Sequence, residues 1–263
     1  FIIISIYFFI QKKYFGWFFF YLFSLYFKLS LLIYLPIYFV ISISLIKQNK
    51  NIFIDISKAF ILWLIFLFLH NLPFIMDGKN FYQWIIYIYK TKVFDRQGNM
   101  LSGNAFNLWT FLFSINLSLT KDHFLYFFKT SSLSYLLVST CYLLSLFYAF
   151  KTKKIISSLF LVSFFIFLFF TNIHERYLYP IFPLMSIITV INPKIISFKK
   201  YILISLIHVL NLYNLWFYPH INILKNILIF ENFLLPRILS FVLIYLFFDI
   251  FYKIISNKHE HQV

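Results

Sequence analysis

The sequence predicts an all-α protein, a polytopic transmembrane helix bundle of about nine spans with an outer amphipathic helix and a re-entrant-like loop. Hydrophobic residues make up 62% of the 263 positions, and charged residues only 12%. A water-soluble domain is about half apolar and about a quarter charged, so this chain lacks the polar residues to cover a soluble surface. The composition therefore excludes a cytosolic enzyme and a disordered tail, and the single Cys141 excludes a disulfide scaffold.

Apolar runs set the positions of the predicted helices. A helix needs about 20 apolar residues to cross the hydrocarbon core, and its backbone must satisfy its own hydrogen bonds there. The predicted spans are residues 1–10, 14–29, 31–46, 59–73, 124–149, 155–171, 177–191, 201–217 and 237–252. The chain begins at Phe1 inside an apolar run and without Met. We therefore expect residues 1–263 to form a single transmembrane domain that is the C-terminal part of a longer chain.

The loops between the predicted spans alternate in charge. Lys and Arg outnumber Asp and Glu by 23 to 8, and short Lys-rich loops recur at every second turn. Their lysines are Lys12, Lys13, Lys47, Lys50, Lys58, Lys151, Lys153, Lys154, Lys194, Lys199, Lys200, Lys253 and Lys258. Cytoplasmic loops carry an excess of basic residues, so this set predicts the cytoplasmic side of a multi-pass plasma-membrane protein. The polar clusters of the other loops then fall on the outer side.

The long outer loop, residues 74–123, begins with an amphipathic pattern. Apolar side chains recur there at helical spacing, with basic residues around them. The apolar positions are Phe81, Trp84, Ile85, Ile88 and Tyr89, and the basic ones are Lys79, Lys90, Lys92 and Arg96. This pattern predicts an interfacial helix that lies on the membrane, and simple anchoring would be enough to explain it.

Residues 101–109, here called the amide segment, read Leu-Ser-Gly-Asn-Ala-Phe-Asn-Leu-Trp. The amide segment is too polar for a span and too apolar for a free loop, which favours a re-entrant or cavity-lining structure. Asn104 and Asn107 offer paired donors and acceptors for sugar hydroxyls, and the Trp109 ring can cover the apolar side of a sugar. An interfacial loop with membrane-belt aromatics explains the same residues equally well.

Residues 172–180, here called the His-Glu-Arg junction, place three ionisable side chains in succession between two predicted spans. Such groups are costly at a membrane boundary unless they are paired or used. Arg176 suits a phosphate because a guanidinium makes two parallel charge-assisted bonds. His174 can donate to an acidic group, and Glu175 can hold Arg176 or a metal. The alternative is a structural ion pair between Glu175 and Arg176.

Other polar residues interrupt the apolar runs singly. Lys28 lies between two spans, at the outer tip of the first complete hairpin. It either snorkels to the interface or meets an anionic headgroup or phosphate. His208 and Asn211 lie within the span 201–217, where polar groups can pack between helices.

The order of these clusters resembles the C-terminal half of bacterial and archaeal integral-membrane glycosyltransferases of the GT-C superfamily. The resemblance is carried by Asn104-Ala105-Phe106-Asn107-Leu108-Trp109, followed several spans later and on the same side by His174-Glu175-Arg176-Tyr177. The nearest group is the one similar to the second GPI mannosyltransferase. The lumenal glucosyltransferases of N-glycan assembly, which have a related His-Glu-Lys motif, are more distant. The resemblance covers residues 28–190 and reaches the final spans by hydropathy only.

The resemblance implies a hexosyltransferase, by its nearest group a mannosyltransferase, that moves a sugar from a polyprenyl-phosphate donor to an acceptor at the outer face. It implies donor-phosphate binding by Lys28, His174, Glu175 and Arg176. It also implies a sugar or carrier pocket shaped by Asn104, Asn107, Trp109 and Tyr177. In that family the catalytic Asp lies in the first outer loop, which is expected upstream of Phe1. This chain is therefore expected to carry donor-binding motifs and to lack the catalytic base.

Two other function classes stay open. A transporter or flippase of lipid-linked glycans also needs outer cations, but it should carry charges through a central cavity and have helices broken by Gly and Pro. A non-catalytic membrane subunit of glycan assembly would share the spans without needing the His-Glu-Arg junction. The expected partners are membrane lipids, the sugar donor and a glycan, lipid or protein acceptor, not nucleic acid. No cofactor and no metal site are expected.

Overall fold

The structure is a computed structural model that describes residues 1–74, 81–88, 90, 99–115, 119–215 and 234–256. Its α-helices are α1 (Ile2–Ile10), α2 (Tyr14–Phe27), α3 (Leu35–Ile46), α4 (Asn51–Asn71), α5 (Phe81–Ile88), α6 (Leu108–Phe113), α7 (Thr130–Thr152), α8 (Ile155–Phe169), α9 (Ile181–Ile191), α10 (Phe198–Leu215) and α11 (Leu234–Ser256). Short 3-10 helices occupy Leu29–Tyr34, Leu72–Phe74 and Glu175–Leu178. Strands β1 (Phe124–Leu125) and β2 (Phe128–Lys129) pair as an antiparallel hairpin. The fold is thus nearly all helical, as predicted.

Four of the described helical segments are long and apolar enough to cross a membrane, judged by length and composition. They are Leu29–Ile46, which joins a 3-10 turn to α3, and the helices α4, α7 and α11. Helices α2 and α8 are apolar but shorter. The structure therefore supports a helical membrane protein, whereas the predicted number of nine spans is not confirmed.

Two predicted boundaries are wrong. Helix α4 begins at Asn51 instead of residue 59, because a helix continues beyond its apolar stretch and carries Asp55 and Lys58 in its first turns. Residues 124–129, predicted as the start of a span, form the β-hairpin instead. An apolar run of aromatic residues fits either structure, so hydropathy does not distinguish them.

The predicted outer helix is present as α5. The side chains of Tyr82 and Tyr87 in this helix are exposed. The basic residues Lys79, Lys92 and Arg96 that were expected around it lie outside the described residues. Its placement on a membrane surface stays a prediction.

The described chain forms two compact units, and the first contains the described residues from 1 to 90 together with residues 149–155. Its core is aromatic and holds α1, α2 and α3 together. The rings of Tyr21 and Tyr38 stack with centroids 3.8 Å apart, and the Ser5 hydroxyl donates to the Trp17 carbonyl over 2.6 Å. A close approach of α1 and α2 requires Gly16, since a Cβ there would lie 2.8 Å from the Phe8 ring.

The second unit contains the described residues from 99 to 148 and from 156 onward. Buried phenylalanines of α8 form much of its core, and Phe164 packs edge-on against Phe247 of α11 with ring centroids 5.3 Å apart. Phe111 of α6 contacts Phe241 of α11, and α10 packs against α9, α11 and the 3-10 turn Glu175–Leu178. This unit contains both the amide segment and the His-Glu-Arg junction.

Candidate functional site

Backbone hydrogen bonds join the amide segment to the His-Glu-Arg junction. On one edge, the Leu101 amide donates to the Leu119 carbonyl over 2.8 Å. On the other edge, the Asn172 amide donates to the Leu101 carbonyl over 3.0 Å, and the Gly103 amide donates to the Ile173 carbonyl over 2.9 Å. Two segments that are about 70 positions apart in the sequence are therefore held side by side.

Tight backbone conformations make this contact possible. Asn104 and Asn172 both have left-handed backbones, with φ of 68° and 58°, a region that asparagine tolerates better than most residues. Gly103 lies directly against the His174 imidazole, and a Cβ at Gly103 would be 2.5 Å from Nδ1 of that ring. The position of His174 therefore depends on the absence of a side chain at Gly103.

A cluster of amides on α10 fixes the amide segment from another direction. Asn104 donates through Nδ2 to the Asn211 carbonyl over 3.1 Å, and Asn211 donates through Nδ2 to the Asn104 carbonyl. Oδ1 of Asn211 accepts from the Phe106 amide over 3.1 Å, while Asn214 donates to Oδ1 of Asn104 over 2.6 Å. Residues 104, 211 and 214 thus form an amide clamp between α10 and the amide segment.

Asn107 and Trp109 are also fully buried and bonded within the protein. Asn107 is the N-cap of α6, because its Oδ1 accepts from the amides of Trp109 and Thr110 over 3.1 Å each. The Trp109 indole donates to the Phe169 carbonyl over 3.0 Å at the end of α8. Neither face of the Trp109 ring is open to a sugar in this structure. Nδ2 of Asn107 is buried without a hydrogen-bond partner in the described chain.

The His-Glu-Arg junction has a different character. Glu175 begins the 3-10 turn and is 3% exposed, and its Oε2 has no hydrogen-bond partner among the described residues. Arg176, the next residue, is exposed. Within the described part of the chain these two side chains do not form the ion pair that was the alternative interpretation of the junction. The acidic group points into the unit, and the basic group points out of it.

His174 and Tyr177 lie at the rim of the same junction. Both are half-buried, and their rings are nearly parallel with centroids 6.4 Å apart. The Tyr177 amide donates to the His174 carbonyl over 3.0 Å, which fixes the turn between them. The structure therefore brings seven of the eight predicted site residues into the second unit.

The eighth, Lys28, belongs to the first unit. It follows the last residue of α2, and its amide donates to the Ser24 carbonyl over 3.0 Å. Its side chain is exposed and makes no ion pair with the described acidic residues. This position is compatible with either predicted role, snorkelling or contact with an anion.

Sequence reasoning identified His208 and Asn211 as polar groups that pack between helices, but it missed Asn214 and the bonds of this face of α10 to the amide segment. Asn211 and Asn214 lie three positions apart, so they project from one helix face, and this spacing on an apolar helix was the available signal. His208 lies one turn earlier, buried with its ring centroid 4.9 Å from that of Tyr179 and 5.0 Å from that of Phe182. Neither ring nitrogen of His208 has a hydrogen-bond partner in the described chain.

The exposed donors of the His-Glu-Arg junction are chemically suited to an anion. The described residues contain no group of three or more His, Cys, Asp and Glu side chains placed to hold a metal ion. They do contain an exposed guanidinium beside a half-exposed imidazole, both fixed by backbone bonds, and these groups are donors suited to phosphate. No family model matches this chain, and neither does any curated protein or solved structure.

Proposed function

We propose that this protein is a membrane glycosyltransferase that takes a hexose, by resemblance mannose, from a polyprenyl-phosphate donor. One observation carries the proposal: Arg176 is exposed and has no acidic partner in the described chain, while the adjacent Glu175 is turned inward. An Arg left unneutralised beside a carboxylate is free to bind an external anion. A lipid phosphate fits because the guanidinium makes two parallel bonds to its oxygens.

The proposed reaction is a single displacement. The acceptor hydroxyl oxygen forms a bond to the anomeric carbon as the bond from that carbon to the phosphate oxygen breaks. The hydroxyl proton goes to a general base, which by the resemblance is an Asp carboxylate. The bonding electron pair stays on the departing lipid phosphate, where the Arg176 guanidinium stabilises the developing negative charge.

The other site residues take roles that follow from their burial. His174 and Tyr177, both half-exposed beside Arg176, are the groups that can reach the donor from the rim. Glu175 is buried, and its role is to orient the neighbouring Arg176 and His174. Asn104, Asn107 and Trp109 support the junction by holding the backbone of the amide segment, and Nδ2 of Asn107 is buried without a partner in the described chain. Lys28 belongs to the first unit, and its donor-phosphate role stays a prediction of the resemblance.

The test is sugar transfer from radiolabelled polyprenyl-phosphate mannose in membranes that contain the full-length protein and its natural acceptors. Arg176→Ala should lower the transfer rate by about 100-fold, the usual effect of removing one donor that stabilises developing charge. Arg176→Lys keeps the charge but not the paired donors, so its rate should be intermediate. Arg237→Ala is the matched control, because Arg237 is an exposed arginine of the same unit that donates to the Leu112 carbonyl.

The outcomes separate the function classes. An unchanged rate for Arg176→Ala would exclude the phosphate role. Movement of the labelled donor across vesicle membranes without transfer to any acceptor would favour the transporter. Absence of both activities in the full-length protein would leave the non-catalytic subunit.

A further inference from the structure

The β-hairpin at residues 124–129, here called the aromatic hairpin, exposes a cluster of large rings. Tyr126 is 90% exposed and Phe127 is 91% exposed, and both stand in the two-residue loop between Leu125 and Phe128. Phe124 and Phe128, at 58% and 66%, flank them. Contiguous exposed apolar groups on a folded surface mark a place where the protein contacts something else.

The aromatic hairpin is fastened to the first turn of α7. The Thr130 amide donates to the His123 carbonyl over 2.8 Å, and the Thr130 hydroxyl donates to the Lys121 carbonyl over 2.6 Å. Ser131 adds a hydroxyl bond to the Asp122 carboxylate over 2.8 Å. The direction of the loop is therefore set by α7, and the exposed rings are a fixed feature of the surface.

The backbone at the loop does not explain the rings. Tyr126 has φ of 55°, in the left-handed region where glycine or asparagine is the favoured residue and a bulky side chain is unusual. Its ring and that of Phe127 stack on no other ring in the part of the chain that is described. A bulky residue that strains the turn and leaves 90% of its surface exposed is best explained by a contact outside the protein.

The position of the aromatic hairpin favours the membrane as the surface that its exposed rings contact. Thr130, the residue after the hairpin, is the first residue of α7, one of the helices long and apolar enough to cross a bilayer. Its 23 residues extend about 35 Å, close to the thickness of the hydrocarbon core, so the hairpin lies where a span leaves the lipid. Tyr and Trp are enriched at that level in membrane proteins, where amphipathic rings sit among the headgroups.

The basic residues at the aromatic hairpin also favour contact with a membrane. Lys121 precedes it and Lys129 ends it, with the Lys129 ammonium 6.0 Å from the centre of the Phe124 ring. Cations beside apolar rings are the arrangement by which interfacial segments bind anionic lipid headgroups. We infer that the aromatic hairpin inserts Tyr126 and Phe127 into the boundary between headgroups and acyl chains and thereby fixes the depth of the adjoining α7.

The inference is independent of the proposed transferase activity and can be tested without it. The full-length protein with Cys141→Ser receives one new cysteine at a time, Tyr126→Cys or Phe127→Cys, and a nitroxide label. Gln48→Cys is the control, because Gln48 is exposed in a loop between α3 and α4 and its side chain makes no bond in the described chain. The labelled proteins are reconstituted in vesicles of phosphatidylcholine and phosphatidylglycerol, and collisions with oxygen and with a water-soluble nickel complex are measured.

We expect the ratio of oxygen to nickel collisions at both loop positions to exceed that at position 48 several-fold. Nickel collisions as frequent at 126 and 127 as at 48 would place the loop in water and overturn the inference. A label shielded from both reagents would also overturn it, because the rings would then contact protein. Spin–spin broadening that disappears on dilution with unlabelled protein would identify that protein as a second copy. The two loop positions check each other, so a local effect of one substitution is recognised.

Discussion

The amide segment and the His-Glu-Arg junction are both polar interruptions of an apolar chain, yet the fold uses them in opposite ways. In the amide segment, Asn104 and Asn107 bond to backbone groups and to other amides inside the unit. In the junction, Glu175 keeps an oxygen without a partner in the described chain, and Arg176 points outward. The two segments touch through the bond from Gly103 to Ile173.

The difference shows that polar side chains have two separate roles in a protein that is mostly apolar. Buried backbone donors and acceptors must be paired, and where chain turns interrupt helices, asparagine side chains supply the partners. A polar residue in such a protein is therefore first a candidate hydrogen-bond partner for a buried backbone group. A binding site is better indicated where polar side-chain atoms stay unpaired or exposed although the buried backbone groups have hydrogen-bond partners. The His-Glu-Arg junction is such a place.

The largest expected effect on stability is at the amide clamp. Asn211→Ala removes the acceptor of the Phe106 amide and the donor to the Asn104 carbonyl, and it leaves both backbone groups buried without partners. Each such group costs about 1–3 kcal/mol, so we expect the free energy of unfolding to fall by roughly 3 kcal/mol. Denaturant titration of the detergent-solubilised protein, followed by intrinsic fluorescence, measures this loss.

Asn214→Ala is the matched control for the amide clamp. It removes one side-chain bond, that to Oδ1 of Asn104, and leaves the backbone partners in place. We expect a loss of about 1 kcal/mol. Equal losses for the two variants would mean that the backbone bonds of Asn211 are not what holds the amide segment.

Apolar run length was enough to predict the long helices, because a run such as that of α11 admits no other structure at its length. It was not enough for the aromatic hairpin, because residues 124–128 are as apolar as α7 and were joined to it across a short polar stretch. The signals of a structural boundary were Lys129, Thr130 and Ser131 after these residues and Asp122 before them. Their hydroxyl and carboxylate bonds anchor the hairpin to α7.

The two motifs could be identified from sequence, but the contacts that orient their side chains could not. The motifs at residues 104–109 and 174–177 were singled out from sequence, and the structure brings them into one unit. The inward direction of Glu175 and the outward direction of Arg176 depend on where the 3-10 turn begins, which no residue type specifies. The partners of Asn104 lie on α10, more than 100 positions away, and such long-range pairing leaves no local pattern.

Gly103→Ala tests whether the contact between the two segments sets the site. The added Cβ would meet the His174 ring at 2.5 Å from Nδ1, so the ring must move or the chains must separate. We expect a stability loss of about 2 kcal/mol and a transfer rate lowered at least tenfold, because overpacking displaces side chains. Gly16→Ala is the control in the first unit, where the Cβ would meet Phe8 at 2.8 Å. The control should transfer sugar at the wild-type rate. If Gly103→Ala did so too, the position of His174 would not matter to the reaction.

Glu175→Gln should separate function from stability at the junction. A buried carboxylate with a free oxygen is costly, and a neutral amide of the same shape is less so. We expect the free energy of unfolding to rise by about 1 kcal/mol while the transfer rate falls, because the negative charge that orients Arg176 and His174 is lost. Asp249→Asn is the opposite case, since Asp249 pairs with Lys200 and lies 3.3 Å from the Lys253 ammonium, so its loss should lower stability slightly. A stability loss in Glu175→Gln would show that the carboxylate has a partner in the folded protein.

The smallest expected effect on stability makes the sharpest distinction between the two segments. Asn107→Ala leaves the Trp109 and Thr110 amides without their acceptor and should cost about 2 kcal/mol, whereas Asn107→Ser keeps a neutral oxygen that can accept from them and should cost about 0.5 kcal/mol. Both variants remove Nδ2, which is buried and has no partner in the described chain. If the amide segment serves only the fold, the transfer rate of Asn107→Ser will equal that of the wild type. A rate lowered several-fold in Asn107→Ser at nearly unchanged stability would instead show that Nδ2 meets the ligand. The boundary between scaffold and site would then lie within the amide segment, at Asn107, and not between the two segments.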